Sequence, residues 1–386
     1  DRPYGLCGLR RPLRHYQQSV RAFVEACFAA CVCGKFHACG CIPLRGFLSG
    51  ELLEDRVFAG FKFPYVGGEA FEGFAVGEFC GVEVGDTFAS GVGRSGKGAE
   101  LSVEVAVLQR IGAVRGAYDA ALHSMRMAYE TREMINEFFN GDGPEQVAFM
   151  SNATEALNTA IDGMLQPGDH VITTAMEHNS VLRPLYLKEQ QGVALTILPV
   201  GEDGTISSEA FEEAIRPDTE AIVCTHASNV TGTALNLYRI GEACKRHGLH
   251  FIVDASQSAG ILPIDIQAMN IDALCFTGHK GLFGPQGTGG LCLKKGVTIR
   301  PLKSGGSGIQ PHSMPELLEA GTINAHGIAG LKAGLEYIQQ EGLERLYTRE
   351  ALLTKTFYEG VRRIDGVKVY GNFDQEKRAP LVALNI

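Results

Sequence analysis

From residue 118 onward, short apolar runs alternate with segments in which apolar residues recur at the spacing of a helix. Helices are predicted at 118–139, 153–165, 179–191, 207–215 and 237–247, and strands at 146–150, 170–175, 194–199, 220–225, 250–253, 273–276 and 289–293. Strands that alternate with helices are joined by right-handed crossovers, which makes neighbouring strands parallel. The fold class is therefore α/β, with a mostly parallel central sheet and helices on both faces.

The composition changes near residue 100, which predicts a domain boundary there. Residues 1–100 hold seven of the eleven cysteines and many glycines, and they show no sustained periodicity except a possible helix at 16–32. We expect an atypical Cys- and Gly-rich segment that is either non-native or disordered. Residues 101–325 are predicted to form the large α/β domain. Helices at 325–340 and 343–364, followed by strands at 367–370 and 381–386, predict that 326–386 begins a small, incomplete α+β domain.

The cysteines leave one alternative open for the first segment. Two close pairs of thiolates can bind zinc, and two such pairs are present: Cys31 with Cys33, and Cys39 with Cys41. One residue separates the members of each pair instead of the usual two, so we predict no metal site. The four later cysteines lie in apolar or helical patterns and are predicted to be reduced core residues: Cys224, Cys244, Cys275 and Cys292.

The charge balance and the apolar runs exclude two classes of partner. With 44 acidic and 35 basic residues, the formal net charge of −9 would repel the phosphate backbone of a nucleic acid. The longest apolar stretch near the front, 20–34, is too short to span a membrane and is interrupted by Arg21 and Glu25. No ordered secretory signal is present, and we expect a cytoplasmic protein. The chain begins with Asp1, which leaves room for a targeting segment before it.

Ligands of an open α/β sheet bind beyond the carboxyl ends of its strands, so the residues after each predicted strand are the candidates for a site. Ala153 and Thr154 open a helix whose N-terminal amides can hold a phosphate, although the same residues suit an ordinary helix cap. Polar loops with His178 and Asn229 follow two further strands. A lone histidine often serves only as a helix cap or a surface group, but two such loops at equivalent strand ends favour a site. Asp254 ends a buried apolar strand, where an unpaired carboxylate is costly, so a cationic partner is expected.

Lys280 lies between an apolar strand and a glycine-rich turn. Desolvation at such a position would favour the neutral amine, which is a nucleophile for Schiff-base chemistry. The alternative is a solvated surface lysine. The Walker pattern for a phosphate loop is absent from the chain.

Six segments taken together resemble a known family. In order, they are SNATEALN, MEHNSVLRPL, HASNVTG, VDASQSAG, FTGHKGLFGPQGTGG and EAGTIN. They resemble the class V aminotransferase family of pyridoxal-phosphate enzymes, and within it the cysteine desulfurases most closely. The resemblance covers residues 102–386 and implies a fold-type I transferase with pyridoxal 5'-phosphate as cofactor and an amino acid as substrate.

The resemblance also implies roles for individual residues. Lys280 would form the Schiff base with the cofactor and move the α-proton of the substrate, and Asp254 would pair with the protonated ring nitrogen. Gln257 would hydrogen-bond the phenolic oxygen of the cofactor. His178 would stack on the ring and position protons, and Asn229 would lie near the ring and the substrate.

A second group of residues is implied in phosphate binding. Thr154, Thr277 and His279, with the amide of Ala153, would hold the phosphate within one subunit. Gly321-Thr322 would reach the phosphate of the neighbouring subunit, which implies a homodimer with shared active sites.

The chain departs from the family at both ends. The family's opening strand and its Asn-Ala-Ala or Ser-Ala-Ala turn are not found, and 101–120 resembles the segment that should follow them. The substrate-carboxylate arginine and the persulfide-forming cysteine of the family lie beyond a strand like 381–386. We therefore expect a fragment, or an imperfect gene product, that cannot complete desulfuration by itself.

In its complete form, the protein is predicted to convert L-cysteine to L-alanine and an enzyme persulfide, with a sulfur-acceptor protein as a further partner. A selenocysteine lyase or another class V aminotransferase is the alternative within the family. A non-catalytic remnant is the alternative outside it.

Overall fold

The computed structural model describes residues 119–201, 204–306 and 312–386. The helix predicted at 16–32, the zinc alternative within 31–41 and the boundary near residue 100 lie outside these ranges. The boundary predicted at 325 separates parts that are both described, and it stays a prediction.

The helices and strands follow the predicted alternation. The helices are α1 (Asp119–Phe139), α2 (Ala153–Met164), α3 (Asn179–Gln190), α4 (Ser208–Glu213), α5 (Leu237–His247), α6 (Ala325–Glu341) and α7 (Leu343–Val361). The strands are β1 (Val147–Met150), β2 (His170–Thr174), β3 (Ala194–Leu198), β4 (Thr219–Thr225), β5 (His250–Asp254), β6 (Ala273–Thr277), β7 (Gly289–Leu293), β8 (Lys368–Tyr370) and β9 (Ala383–Asn385).

Several elements are one residue shorter than the sequence predicted, and α4, α7 and β9 are shorter by three residues. The helix expected to reach residue 364 ends at Val361, and the strand expected at 381–386 is Ala383–Asn385. The helix expected to start at Ser207 starts one residue later. The Ser207 hydroxyl accepts a hydrogen bond from the N–H of Ala210, so Ser207 caps the helix from outside.

The large sheet has the strand order β1-β7-β6-β5-β4-β2-β3. Pairs among β2 to β6 are parallel, whereas β7 is antiparallel to both β6 and β1. The sheet is mostly parallel, as predicted. Since β1 runs in the same direction as β6, the residues that follow β1, β2, β4, β5 and β6 all lie at one end of the sheet. We call this end of the sheet the carboxyl end. The strands β8 and β9 form a separate antiparallel pair.

Both faces of the sheet are covered by apolar packing. Successive side chains of a strand point to opposite faces, and Ile222 and Phe251 pack in one buried cluster while Val223 and Ile252 pack in the other. Strands that are buried on both faces are apolar at consecutive positions. This explains why β4, β5 and β6 read as continuous apolar runs in the sequence.

A buried ion pair covers the outer edge of β1. Among the described strands β1 is the last of the sheet, so no described strand pairs with the outer side of its backbone. Glu319 accepts the N–H of Phe149 at 2.7 Å, and Arg132 of α1 donates to the carbonyl of Val147. Two hydrogen bonds of 2.7 and 2.8 Å also join the guanidinium to the carboxylate. The pair therefore takes the place of a neighbouring strand and ties α1 and the segment before Gly321 to the sheet.

The described ranges lack a membrane-spanning helix and a metal-binding cluster. They contain no helix with the length and apolar character that crossing a membrane requires. Within the same ranges, no three His, Cys, Asp or Glu side chains are grouped so that they could hold a metal ion.

Candidate functional site

Asp254, the last residue of β5, lies at the carboxyl end of the sheet with 3% of its surface exposed. Its Oδ1 atom accepts hydrogen bonds from the N–H of Ser256, at 2.8 Å, and from the Ser256 hydroxyl. The sequence predicted a cationic partner, but no lysine or arginine of the described ranges forms an ion pair with this carboxylate. A buried charge of this kind suits a cation that comes from a bound molecule.

The N-terminus of α2 lies at the same end of the sheet. Asn152 caps the helix by accepting the N–H of Glu155, and the first N–H groups, at Ala153 and Thr154, have no acceptor within the helix. Gly289 of β7 allows a close approach here, because a Cβ at this position would lie 2.8 Å from the Cα of Asn152. Such a helix terminus, with a hydroxyl beside it, is suited to an anion.

Thr277 is the last residue of β6, and His279 and Lys280 follow it. The Thr277 hydroxyl is 2.8 Å from Nδ1 of His279, and the N–H of Gly278 donates to the carbonyl of Thr288 at 2.8 Å. Thr277 is buried, whereas His279 and Lys280 are exposed. Of the two alternatives that the sequence leaves open for Lys280, its exposure among the described residues agrees with the solvated lysine and not with a desolvated one.

His178 is the N-cap of α3, and its ring atom Nδ1 accepts the N–H of Ser180 at 3.1 Å. A backbone N–H can only donate, so Nδ1 is an acceptor and the neutral ring carries its proton on Nε2. The hydroxyl of Ser180 lies 2.8 Å from the same Nδ1 and 2.7 Å from the hydroxyl of Thr154. A continuous chain of hydrogen bonds therefore joins the first turn of α2 to His178.

Glu177 bridges the ends of two strands that separate at the carboxyl end. Pairing between β2 and β4 ends at Ile172 and Ile222, although both strands continue. The carboxyl group of Glu177 accepts the hydroxyl of Thr174 at 2.5 Å and the N–H of Thr225. Glu177 and Ser180 both belong to the motif MEHNSVLRPL, but the sequence alone predicts no role for either residue.

Burial raises the pKa of Glu177 to about 8, and the negative charge of Asp254 acts in the same direction. In the unfolded chain the group titrates near its ordinary value of 4.5. The stability that the neutral acid contributes is therefore complete below pH 4.5 and is lost as the pH rises towards 8. Glu177→Gln cannot ionise, so it does not lose this stability. We expect its free energy of unfolding, relative to that of the wild-type chain, to rise by a few kcal/mol as the pH increases from about 5 to about 9.

Urea unfolding of both chains across this pH range measures the effect. Glu189→Gln, at an exposed position of the helix α3 that follows Glu177, is the matched control and should show no such pH-dependent gain. If the difference in free energy of unfolding between Glu177→Gln and the wild-type chain is the same at every pH, then Glu177 is not a buried acid with a raised pKa.

The loop that carries Asn229 is held by the segment 375–379. The side-chain amide of Gln375 both donates to and accepts from the backbone of Ala234, each at 3.1 Å. The buried Arg378 donates to the carbonyl of Thr231. Sequence reasoning missed Gln375 and Arg378, because they lie more than 140 positions from the loop and belong to none of the six motifs.

The remaining predicted residues lie in loops. Gln257 follows Asp254 by three positions and is half-buried. Gly321 has a φ of 79°, a conformation that favours glycine, and its N–H donates to the carbonyl of Gly305 at 3.0 Å. Thr322 is exposed. The contact of Gly321-Thr322 with a second subunit stays a prediction.

The four cysteines of the described ranges are free and buried: Cys224, Cys244, Cys275 and Cys292. Burial raises the pKa of each thiol above its usual value. Such thiols stay protonated and unreactive at neutral pH. They are core residues, as predicted, and none of the four is a suitable nucleophile.

Comparison with known proteins decides the family, because the profile of the class V aminotransferases matches residues 106–386. The chain belongs to this family. A probable cysteine desulfurase of Methanothermobacter thermautotrophicus is 32% identical over 269 residues, which cover 67% of each chain. A probable cysteine desulfurase of Pyrococcus abyssi is 30% identical over 286 residues, covering 70% of this chain and 71% of the relative.

A solved structure supports the same assignment. The apo cysteine desulfurase from Thermococcus onnurineus is 30% identical and superposes with a TM-score of 0.70, covering 75% of each chain. The family resemblance and the fold-type I architecture predicted from the sequence are thereby confirmed.

Class V aminotransferases depend on pyridoxal phosphate, and the residues at the carboxyl end of the sheet fit this cofactor. The buried carboxylate of Asp254 suits a protonated ring nitrogen. The N-terminus of α2, with the Thr154 hydroxyl, suits a phosphate. Lys280 provides an amine after β6, at the same end. The roles of these residues stay predictions.

Proposed function

We propose that this chain contains the cofactor-binding part of a cysteine desulfurase, which converts L-cysteine to L-alanine and passes the sulfur to an enzyme thiol. The observation that carries the proposal is the buried carboxylate of Asp254, which lacks a cationic partner among the described residues. The relatives named above are cysteine desulfurases, which supports L-cysteine as the substrate.

In this proposal the cofactor is held at both of its ends. The amide of Ala153, the hydroxyls of Thr154 and Thr277, and His279 bind the phosphate. Asp254 holds a proton on the ring nitrogen, since a buried carboxylate favours a positive charge beside it. When bound, pyridoxal phosphate supplies an electron sink for the negative charge that develops at the substrate α-carbon.

Four further residues act on the ring and the substrate. The amine of Lys280 would hold the cofactor, and it is the group that would accept the α-proton of the substrate. His178 covers the ring and offers the proton on its Nε2 atom. Gln257 donates a hydrogen bond to the phenolic oxygen, and Asn229 lies near the ring and the substrate.

The first test is to add pyridoxal phosphate to the purified chain. We expect a visible absorption band, and borohydride reduction followed by peptide mapping should place the pyridoxyl group on Lys280. A colourless protein would indicate a non-catalytic remnant instead.

The second test measures sulfide and alanine after L-cysteine and a reductant are added. Selenium release from L-selenocysteine without sulfide release from L-cysteine would indicate a selenocysteine lyase. Amino transfer without sulfur release would indicate another class V aminotransferase.

Asp254→Asn should still bind pyridoxal phosphate but slow the exchange of the substrate α-proton with solvent by roughly 10²–10³-fold, the scale on which one lost electrostatic partner acts in a site. The neutral amide no longer holds a proton on the ring nitrogen, so the ring becomes a weaker electron sink. Cofactor absorption and α-proton exchange are measured together. Asp374→Asn, at an exposed position, is the control, and full exchange in the Asp254 variant would rule out the role.

We further propose that the chain forms a homodimer in which Gly321-Thr322 reaches the phosphate of the neighbouring subunit. The exposure of Thr322 supports this arrangement. Light scattering coupled to size-exclusion chromatography measures the oligomeric state. A sulfur-acceptor protein and a cytoplasmic location stay predictions.

A further inference from the structure

We propose that Ser180 is a positioning residue that couples occupancy of the phosphate site to the hydrogen bonding, and thereby the orientation, of the His178 ring. The inference rests on the proposed function, which assigns Thr154 to the phosphate. Ser180 lies in the first turn of α3 with 8% of its surface exposed. Its hydroxyl contacts two residues of the proposed site, Thr154 at 2.7 Å and His178 at 2.8 Å.

The number of hydrogens limits how this chain of contacts can be arranged. Ser180 has one hydroxyl hydrogen, so its hydroxyl donates either to Thr154 or to Nδ1 of His178. Nδ1 is already an acceptor, because it receives the N–H of Ser180. When no anion is bound, Thr154 can donate to Ser180 and Ser180 can donate to Nδ1. The two donors of Ser180 then share the single lone pair of Nδ1.

A bound phosphate reverses the direction of the hydrogen bond between Thr154 and Ser180. Phosphate oxygens are acceptors, so the Thr154 hydroxyl turns its hydrogen towards them. The Thr154 oxygen then accepts from Ser180, and the Ser180 hydrogen leaves Nδ1. His178 keeps the backbone N–H at 3.1 Å and loses the second donor. The ring is thus held firmly in the empty site and less firmly once a phosphate is present.

If Ser180 had only a structural role, its hydroxyl would be expected to bond the backbone of its own helix. Serine in the first turn of a helix often bonds a backbone group of its own helix. The hydroxyl contacts of Ser180 instead go to side chains, one on α2 and one at the cap of α3. Packing alone would make the hydroxyl dispensable for communication between the two residues.

The test is a titration of the full chain, labelled with ¹⁵N in its histidine rings, with inorganic phosphate and then with pyridoxal phosphate. The His178 signal is identified by its loss in His178→Gln. We expect phosphate to shift the Nδ1 resonance of His178 in the wild-type chain. In Ser180→Ala, which keeps the backbone N–H, we expect this shift to be lost. The ring of His170, held between Thr219 and Thr196, is the internal control and should not respond.

Each outcome decides the inference. A wild-type shift that survives in Ser180→Ala overturns it, and so does a wild-type signal that moves with neither titrant. If Ser180→Ala does not fold, Ser180→Gly removes the same hydroxyl and takes its place. A phosphate-dependent shift that needs Ser180, in a chain that shows no visible band with pyridoxal phosphate, would support the coupling and contradict the proposed function.

Discussion

Lys280→Ala is expected to lose the covalent link to pyridoxal phosphate and to slow the exchange of the substrate α-proton with solvent by at least about 10²–10⁴-fold, the contribution of one proton-transferring side chain. The physical reason is that alanine has no amine to bind the cofactor covalently or to accept the α-proton. Pyridoxyl labelling by borohydride and α-proton exchange are measured on the same preparation.

Lys295→Ala is the matched control for Lys280, because Lys295 is an exposed lysine that also follows a strand of the sheet. It should keep both the pyridoxyl label on Lys280 and the α-proton exchange. Recovery of the pyridoxyl label on Lys294, Lys295 or Lys303 would contradict the assignment of Lys280.

The largest effect on stability is expected from the ion pair at the outer edge of β1. Arg132→Met leaves the buried carboxylate of Glu319 without its cation, and the Val147 carbonyl loses its donor. Breaking a buried pair by removing one partner costs about 3–5 kcal/mol, because an uncompensated charge remains in the interior. Urea unfolding should show a loss of this size in the free energy of unfolding.

The exposed ion pair between Arg246 and Glu212 provides the comparison. Arg246→Met should cost much less than Arg132→Met, because water already screens both charges. A double variant, Arg132→Met with Glu319→Leu, should recover part of the loss, since it removes both buried charges. The interpretation is wrong if Arg132→Met costs no more than Arg246→Met.

Much of the fold and part of the site could be predicted from the sequence because their signals are local. Strands buried on both faces appear as apolar runs, and each helix between them has its own periodicity. Asp254 and Lys280 stand out because each directly follows such a run. In a parallel sheet, this order along the chain also determines that they lie at the same end. The element types and the carboxyl-end location of these residues therefore needed no knowledge of distant contacts.

Other features were decided by the tertiary structure, because they depend on contacts between residues that are far apart in sequence. The order of the strands makes β1 an edge, and Arg132 and Glu319, 187 positions apart, meet there. The separation of β2 from β4 creates the buried position of Glu177 and raises its pKa. The packing of α2 against α3 brings the hydroxyls of Thr154 and Ser180 within 2.7 Å. Periodicity indicates which face of a helix or strand is buried, but it does not determine which polar groups of other elements contact that face. These contacts determine the charges and the proton positions in the site.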